Sequence, residues 1–272
     1  MGDIIPNKCI KINKILKRID DDDKYMILSE IFLQKDMMLK VMKNIDNNIL
    51  HKIYKILQNH EYFNIMPIYG YIKCKDDFKN LKLSLMEQGI CNGTDNKEIT
   101  ILIMKNIEEN VEDITKEQAW SIFFQMMITC LKLYSETSII HSDIKLGNYK
   151  FVKTNQEKEM YSIRNPAINV IINLKGIRLY LIDFDNGKIE DDHRNTYMFI
   201  EDIMNTCKKF ITLYNLLPEK EYNIFMNQLK SHKDDLHIHG MAKLGVIKNV
   251  YIFLMKYIYP HIPKDILYEL DL

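Results

Sequence analysis

Two short apolar runs that open onto carboxylates constrain this chain more than any other feature. Ile139-Ile140 leads into His141-Ser142-Asp143-Ile144-Lys145-Leu146-Gly147-Asn148, and Arg178-Leu179-Tyr180-Leu181-Ile182 leads into Asp183-Phe184-Asp185. A long helical stretch precedes the first run. Thr115 and Gln118 stand at capping-box spacing, with a hydroxyl at the N-cap and an amide three residues on. Trp120, Phe123, Phe124, Met127, Cys130, Leu131 and Tyr134 then give near-continuous apolar coverage, which predicts a central, buried helix. A buried helix, a polar loop and a strand ending on Asp183 point to an α+β chain with its polar residues gathered at strand ends. Taken alone, Asp143 and Asn148 also fit turn caps, and Asp183 a strand-end carboxylate. Their order and context are what favour a site.

The chain has 272 residues, enough for one large domain or two modest lobes. No Pro- or Gly-rich linker divides it. The first hundred residues mix short apolar runs with polar turns, and the remainder is dominated by helical patterns. Met37 to Met42 reads as a buried strand carrying one charge, Lys40. Asn48 to His60 reads as a helix with Ile49, Ile53, Ile56 and Leu57 on one face. Ile65 to Ile72 and Ile99 to Met104 read as strands, with Lys105-Asn106-Ile107 as a connection. Residues 73–97, around Phe78, Leu81 and Leu85, read as a surface insertion. Asp20 to Asp23 reads as an exposed acidic turn, or Ile12, Ile15, Leu16 and Ile19 form a helix instead. Residues Lys153 to Gly176 form a connection longer than a simple hairpin needs. From Asn195 the pattern is helical to the C-terminus, broken around Ser231–Gly240.

Charge and cysteine usage narrow the function classes. Lys+Arg and Asp+Glu balance at 37 each, which gives no electrostatic argument for a nucleic-acid or membrane partner. No apolar run reaches membrane-spanning length. Cys9, Cys74, Cys91, Cys130 and Cys207 are scattered without a C-x-x-C pair, as suits a reducing compartment. A soluble intracellular protein is expected. His232, Asp234, Asp235, His237 and His239 crowd one segment, but their spacing matches no zinc site and predicts a solvated polar loop.

The pattern H-x-D-x-K-x-x-N, followed by an apolar strand and D-F, resembles the catalytic loop and metal-binding strand end of protein kinases. The helix around Ile122 to Met127, the long insertion, the D-F-D ending and the short segment after it narrow the likeness. Together they resemble the divergent protein kinases of poxviruses and other large DNA viruses, and usage rich in Ile, Asn, Lys, Tyr and Asp points to a similarly AT-rich source. The resemblance covers residues 100–215. It implies a single two-lobed domain over 1–272, with a small β-rich lobe (1–104), a hinge (105–108) and a larger helical lobe (109–272). It also implies ATP and Mg2+ as cofactors, a protein substrate, and a place in the host-cell cytoplasm or the virion.

The resemblance assigns roles residue by residue. Asp143 would orient the acceptor hydroxyl and Lys145 would sit beside the transferring phosphate. Asn148 and Asp183 would hold magnesium, a hard cation that takes oxygen ligands. Lys40 would pair the α- and β-phosphates. His141 would orient the loop, and Asp202 would anchor its backbone. The form with Lys145 looks like Ser/Thr protein kinases, while Asp185 in place of the usual Gly also occurs in aminoglycoside- and choline-type kinases. No Ala-Pro-Glu tripeptide follows.

Three features depart from the family pattern. No Gly-rich loop precedes Lys40, where backbone N–H groups would approach phosphates. No acid stands near Lys52 to Tyr54 to pair with Lys40, although Glu30 could substitute. Ser142 replaces the Arg that would receive an activation-loop phosphate. A catalytically inactive kinase-like binding module and a small-molecule phosphotransferase are therefore the alternatives to a Ser/Thr protein kinase.

Overall fold

The computed structural model describes residues 10–19, 24–31, 34–43, 48–59, 64–75, 98–105, 107, 111, 113–190, 197–238 and 243–269. The fold mixes helices and antiparallel strands in two compact units, Met1–Glu61 with Met66–Glu108, and Tyr62–Ile65 with Glu109–Leu272. The acidic turn Asp20–Asp23, the piece around Phe78, Leu81 and Leu85, and Asn106 lie outside the described residues.

The first unit is built on one antiparallel sheet. Strands β1 (Ile10–Ile19), β2 (Lys24–Ile31), β3 (Gln34–Lys43), β4 (Ile68–Lys75) and β5 (Glu98–Lys105) lie in the order β1-β2-β3-β5-β4. Residues 12–19 are therefore strand, not the helix that their i, i+3, i+4, i+7 spacing allowed. Register shifts interrupt its pairing with β2 at Ile12/Lys14 and Ile15/Lys17. Helix α1 (Asn48–Asn59) buries Ile53, Tyr54 and Leu57 and exposes Lys52 and Lys55, the amphipathic division its sequence predicts.

The second unit is organised by helix α2 (Lys116–Thr137). Its capping box is closed in both directions, Gln118 N–H to Thr115 Oγ1 at 3.3 Å and Thr115 N–H to Gln118 Oε1 at 3.0 Å. The helix ends on Ser138 in the left-handed region, with its N–H donated to the Tyr134 carbonyl at 2.9 Å. Trp120, Phe123 and Phe124 form edge-to-face contacts inside the core, and Phe123 reaches Phe210. Short paired strands surround the helix: β6 (Ile139–Ile140) with β11 (Lys188–Ile189), and β7 (Tyr149–Lys153) with β10 (Ile177–Leu181).

The long connection after Asn148 folds on itself. Strands β8 (Lys158–Ile163) and β9 (Ile168–Asn173) form a hairpin, and β12 (Leu267–Glu269) returns from the chain's far end to pair with β9. The C-terminal region is thus not helical throughout. Helices α3 (Tyr197–Leu213), α4 (Glu219–Ile238) and α5 (Lys243–Tyr257) precede β12, and α4 runs through Ser231 to Ile238. His232, Asp234, Asp235 and His237 therefore lie on a helix and not in a loop; His239 is outside the described residues. Among the described residues no helix is long and apolar enough to cross a membrane.

Strand β10 delivers Asp183, and its placement rests on buried amides. One edge pairs with β7; the other would leave backbone groups unpaired in the core, which is costly. Gln125 of α2 takes two of them, accepting from Leu179 N–H at 2.9 Å and donating to the Ile177 carbonyl at 3.0 Å. Asn64 donates to the Leu179 carbonyl at 2.7 Å, and its own carbonyl accepts Leu181 N–H at 2.7 Å. Tyr161 donates to Asn64 Oδ1 at 2.6 Å, and Arg178 bonds Glu159 at 3.0 Å, which extends the network to β8. The Gln125 and Asn64 side chains, with the backbone at Asn64–Ile65, thus serve the edge of β10 as a neighbouring strand would.

Candidate active site

Two loops meet in the second unit because both leave paired strands. Residues 141–148 run from β6 to β7, and residues 182–187 run from β10 to β11. The β7–β10 ladder closes on Leu181 opposite Tyr149, and the β6–β11 ladder on Lys188 opposite Ile140. The loops are clamped at both ends and then bonded to each other. His141 Nε2 donates to the Ile182 carbonyl at 2.8 Å, and Ile182 N–H donates to the Asn148 carbonyl at 2.9 Å. The His141 ring packs on Phe184 with centroids 4.5 Å apart. Burial lowers the His141 pKa, against the opposing pull of the Ile182 carbonyl and the Asp183 and Asp143 carboxylates. A neutral imidazole with its proton on Nε2 fits this surrounding.

Both loops bend sharply at non-glycine residues. Ser142 has φ +62° and Asp183 has φ +62°, a conformation that costs an L-residue about 1–2 kcal/mol. The first bend is held by Asp202 on α3, whose Oδ2 accepts Ser142 N–H at 3.1 Å. Burial pushes the Asp202 carboxyl up to about 6; the Ser142 bond and Lys209 offset part of that cost. Such backbone outliers concentrate at functional sites.

Asp143 stands at the centre of the polar contacts. Its Oδ2 accepts from Lys145 Nζ at 2.8 Å, Asn148 Nδ2 at 3.0 Å and Asn186 Nδ2 at 3.1 Å. Partial burial works against its charge, but the Lys145, Asn186 and Asn148 bonds outweigh it and hold the carboxyl below the usual carboxylate range. Asn148 is buried at the end of a 3₁₀ turn (Leu146–Asn148), and its amide also donates to the Asp143 carbonyl at 2.7 Å. Lys145 is 57% exposed, against 22% for Asp143, so the ion pair sits at the mouth of the loop.

Of the residues the sequence singles out, Asp143, Lys145, Asn148, Asp183, His141 and Asp202 all lie in this unit. Hydrogen bonds tie the first three together, and His141 and Asp202 fasten the loop backbone. Lys40 belongs to the first unit. It is 3% exposed on β3, opposite Met26 on one side and Leu102 on the other. The register puts Glu30 four residues from Met26, roughly 13 Å along β2, and α1 carries no carboxylate. Asn186 was not foreseen. Its reach to Asp143 depends on the 3₁₀ turn Phe184–Asn186, for which the sequence offers no signal.

Oxygen donors suit magnesium, which takes one or two protein ligands and completes its shell with phosphate and water. Asn148 donates to Asp143 through its nitrogen, so its Oδ1 would serve as ligand alongside the Asp183 carboxylate. Among the described residues no group of three or more His, Cys, Asp or Glu side chains forms a metal cage. Comparison of the chain with protein-family models and with curated proteins finds no match.

Proposed function

We propose that this chain is a divergent Ser/Thr protein kinase, of the kind found in poxviruses and other large DNA viruses, that transfers the γ-phosphoryl group of Mg·ATP to a protein hydroxyl. The observation that supports this most is the Asp143 carboxylate, favoured in its ionised form and oriented by bonds from Lys145, Asn148 and Asn186. In this reading the domain is two-lobed, and Lys40 pairs the α- and β-phosphates.

Phosphoryl transfer needs positioning and charge neutralisation more than covalent help. Asp143 Oδ1, which takes no part in the three bonds to Oδ2, receives the acceptor O–H. A carboxylate held below its usual range is a weak base. It therefore orients the hydroxyl first and takes its proton only as the new O–P bond forms. The bond from γ-phosphorus to the bridging oxygen breaks, and ADP leaves with the electron pair. Lys145 offsets charge on the moving phosphoryl group. Asn148 and Asp183 would hold magnesium, which when bound would supply charge neutralisation to the nucleotide phosphates.

The absence of any carboxylate on α1 supports a second reading, a kinase-like binding module without turnover. Asp185 in place of glycine keeps a small-molecule phosphotransferase as the third. Incubation with Mg·ATP labelled at the γ-phosphate separates them. Label on Ser or Thr of a generic protein acceptor is the expected result. Label only on a small hydroxyl compound, or no binding of Mg·ATP, would overturn the proposal.

A further inference from the structure

A cavity of about 590 Å³ opens beside the site, within the second unit, and none of the residues assigned to nucleotide or metal forms its floor. Met126, Ile144, Tyr149 and Phe210 make that floor, all buried. Its rim carries Lys145, Lys208 and Lys209, and among the described residues none that lines it is a carboxylate. The volume lies in the range of ligand pockets. Water in an apolar recess finds few partners, and Leu213 at its edge is left 48% exposed. Lys208 adds its charge there to Lys145 and Lys209, which also serve the Asp143 and Asp202 carboxylates, and over a low-dielectric wall the mouth favours an anionic group.

The cavity and the site share one residue. Lys145 lines the rim and bonds Asp143 at 2.8 Å. From these observations we infer that the cavity seats the acceptor polypeptide: an apolar side chain fills it, and Asp or Glu residues beside that anchor meet Lys145, Lys208 and Lys209. A segment rich in Lys or Arg is repelled at the same mouth. This rests on the phosphoryl-transfer reading and adds to it a substrate class, acidic sequences with an apolar residue near the Ser or Thr.

The test uses the full chain and two serine peptides of equal length, each with one Leu, flanked by Glu in one and by Lys in the other. Binding is read by fluorescence anisotropy and transfer by labelled γ-phosphate. The acidic peptide is expected to bind, and to be phosphorylated with kcat/KM, at least tenfold better. Lys208→Glu is expected to erase most of that preference. Leu213→Asn, which leaves the charge unaltered, is expected to weaken both peptides, and Mg·ATP affinity should be unchanged in either variant. Equal affinity for the two peptides, a preference for the basic one, or unaltered binding in both variants would overturn the inference. Tighter binding of laurate than of the acidic peptide would assign the cavity to a lipid and overturn it too. The two proposals fail differently. Label moving equally to both peptides removes the docking role and leaves the kinase reading. Selective binding of the acidic peptide without any transfer removes the kinase reading alone.

Discussion

Asp202 Oδ2 accepts the backbone N–H of Ser142 at 3.1 Å, and Ser142 is the residue whose φ of +62° turns the chain just before Asp143. One carboxylate on α3 therefore holds the bend that leads into Asp143. The bond gains from its charge, while burial of that charge raises the carboxyl to about 6.

Asp202→Ala should lower stability by about 1–3 kcal/mol, because the Ser142 N–H loses its partner, and should alter Mg·ATP affinity little. Asp202→Asn keeps an acceptor and removes the charge. Linkage sets the sign of its pH dependence. The folded value near 6 lies above the unfolded value near 4, so between them the folded state binds more protons. Wild-type stability relative to Asp202→Asn should then fall as pH rises from about 4 to about 6. Chemical denaturation across that range checks it; a difference that grows in favour of wild type with rising pH would sink the assignment.

Gln125→Leu should cost about 2–5 kcal/mol, since it strands the Leu179 N–H and the Ile177 carbonyl in the core. For a chain of this size the melting temperature should drop by several degrees or more. An unchanged melting temperature would mean that β10 is held by other contacts.

Asn186→Ala removes one of three donors to Asp143 Oδ2. The Asp143 carboxyl should move up toward its ordinary range, which shifts the acid limb of the pH–rate profile to higher pH. Transfer should fall by about tenfold with Mg·ATP affinity retained. A profile that does not move would limit Asn186 to a structural part.

Asp183→Asn should weaken nucleotide binding in the presence of magnesium and leave the weaker, magnesium-free binding nearly unchanged. Calorimetric titration with and without the metal distinguishes the two. Equal affinities for Mg·ATP in wild type and variant would remove Asp183 from the metal site.

Local signals carried much of this architecture. The Thr115–Gln118 box starts α2 where its spacing says, and the strand read as Arg178 to Ile182 is found as Ile177–Leu181, ending two residues before Asp183. His141 and Asp202 bond the loop backbones. What the sequence hid is long-range. Gln125 and Asn64 look like ordinary polar residues until the edge of β10 arrives beside them, and Asn64 lies 115 residues from the Leu179 carbonyl it serves. The pairing of Leu267 with Ile172 likewise depends on register between distant segments, which no window of sequence contains. The strand at residues 12–19 was hidden because its pairing with β2 is fixed by partners that the i, i+3, i+4, i+7 spacing does not show. Asn186 was invisible because its contact depends on a turn three residues long.

The most direct test is single-turnover transfer of γ-phosphate from Mg·ATP, wild type beside Asp143→Asn, with nucleotide affinity measured on both. The account predicts transfer by the wild type, a loss of about 10²-fold or more in the variant, and nearly equal affinities. Transfer that survives the substitution, or its absence from folded wild type that binds Mg·ATP, would contradict it.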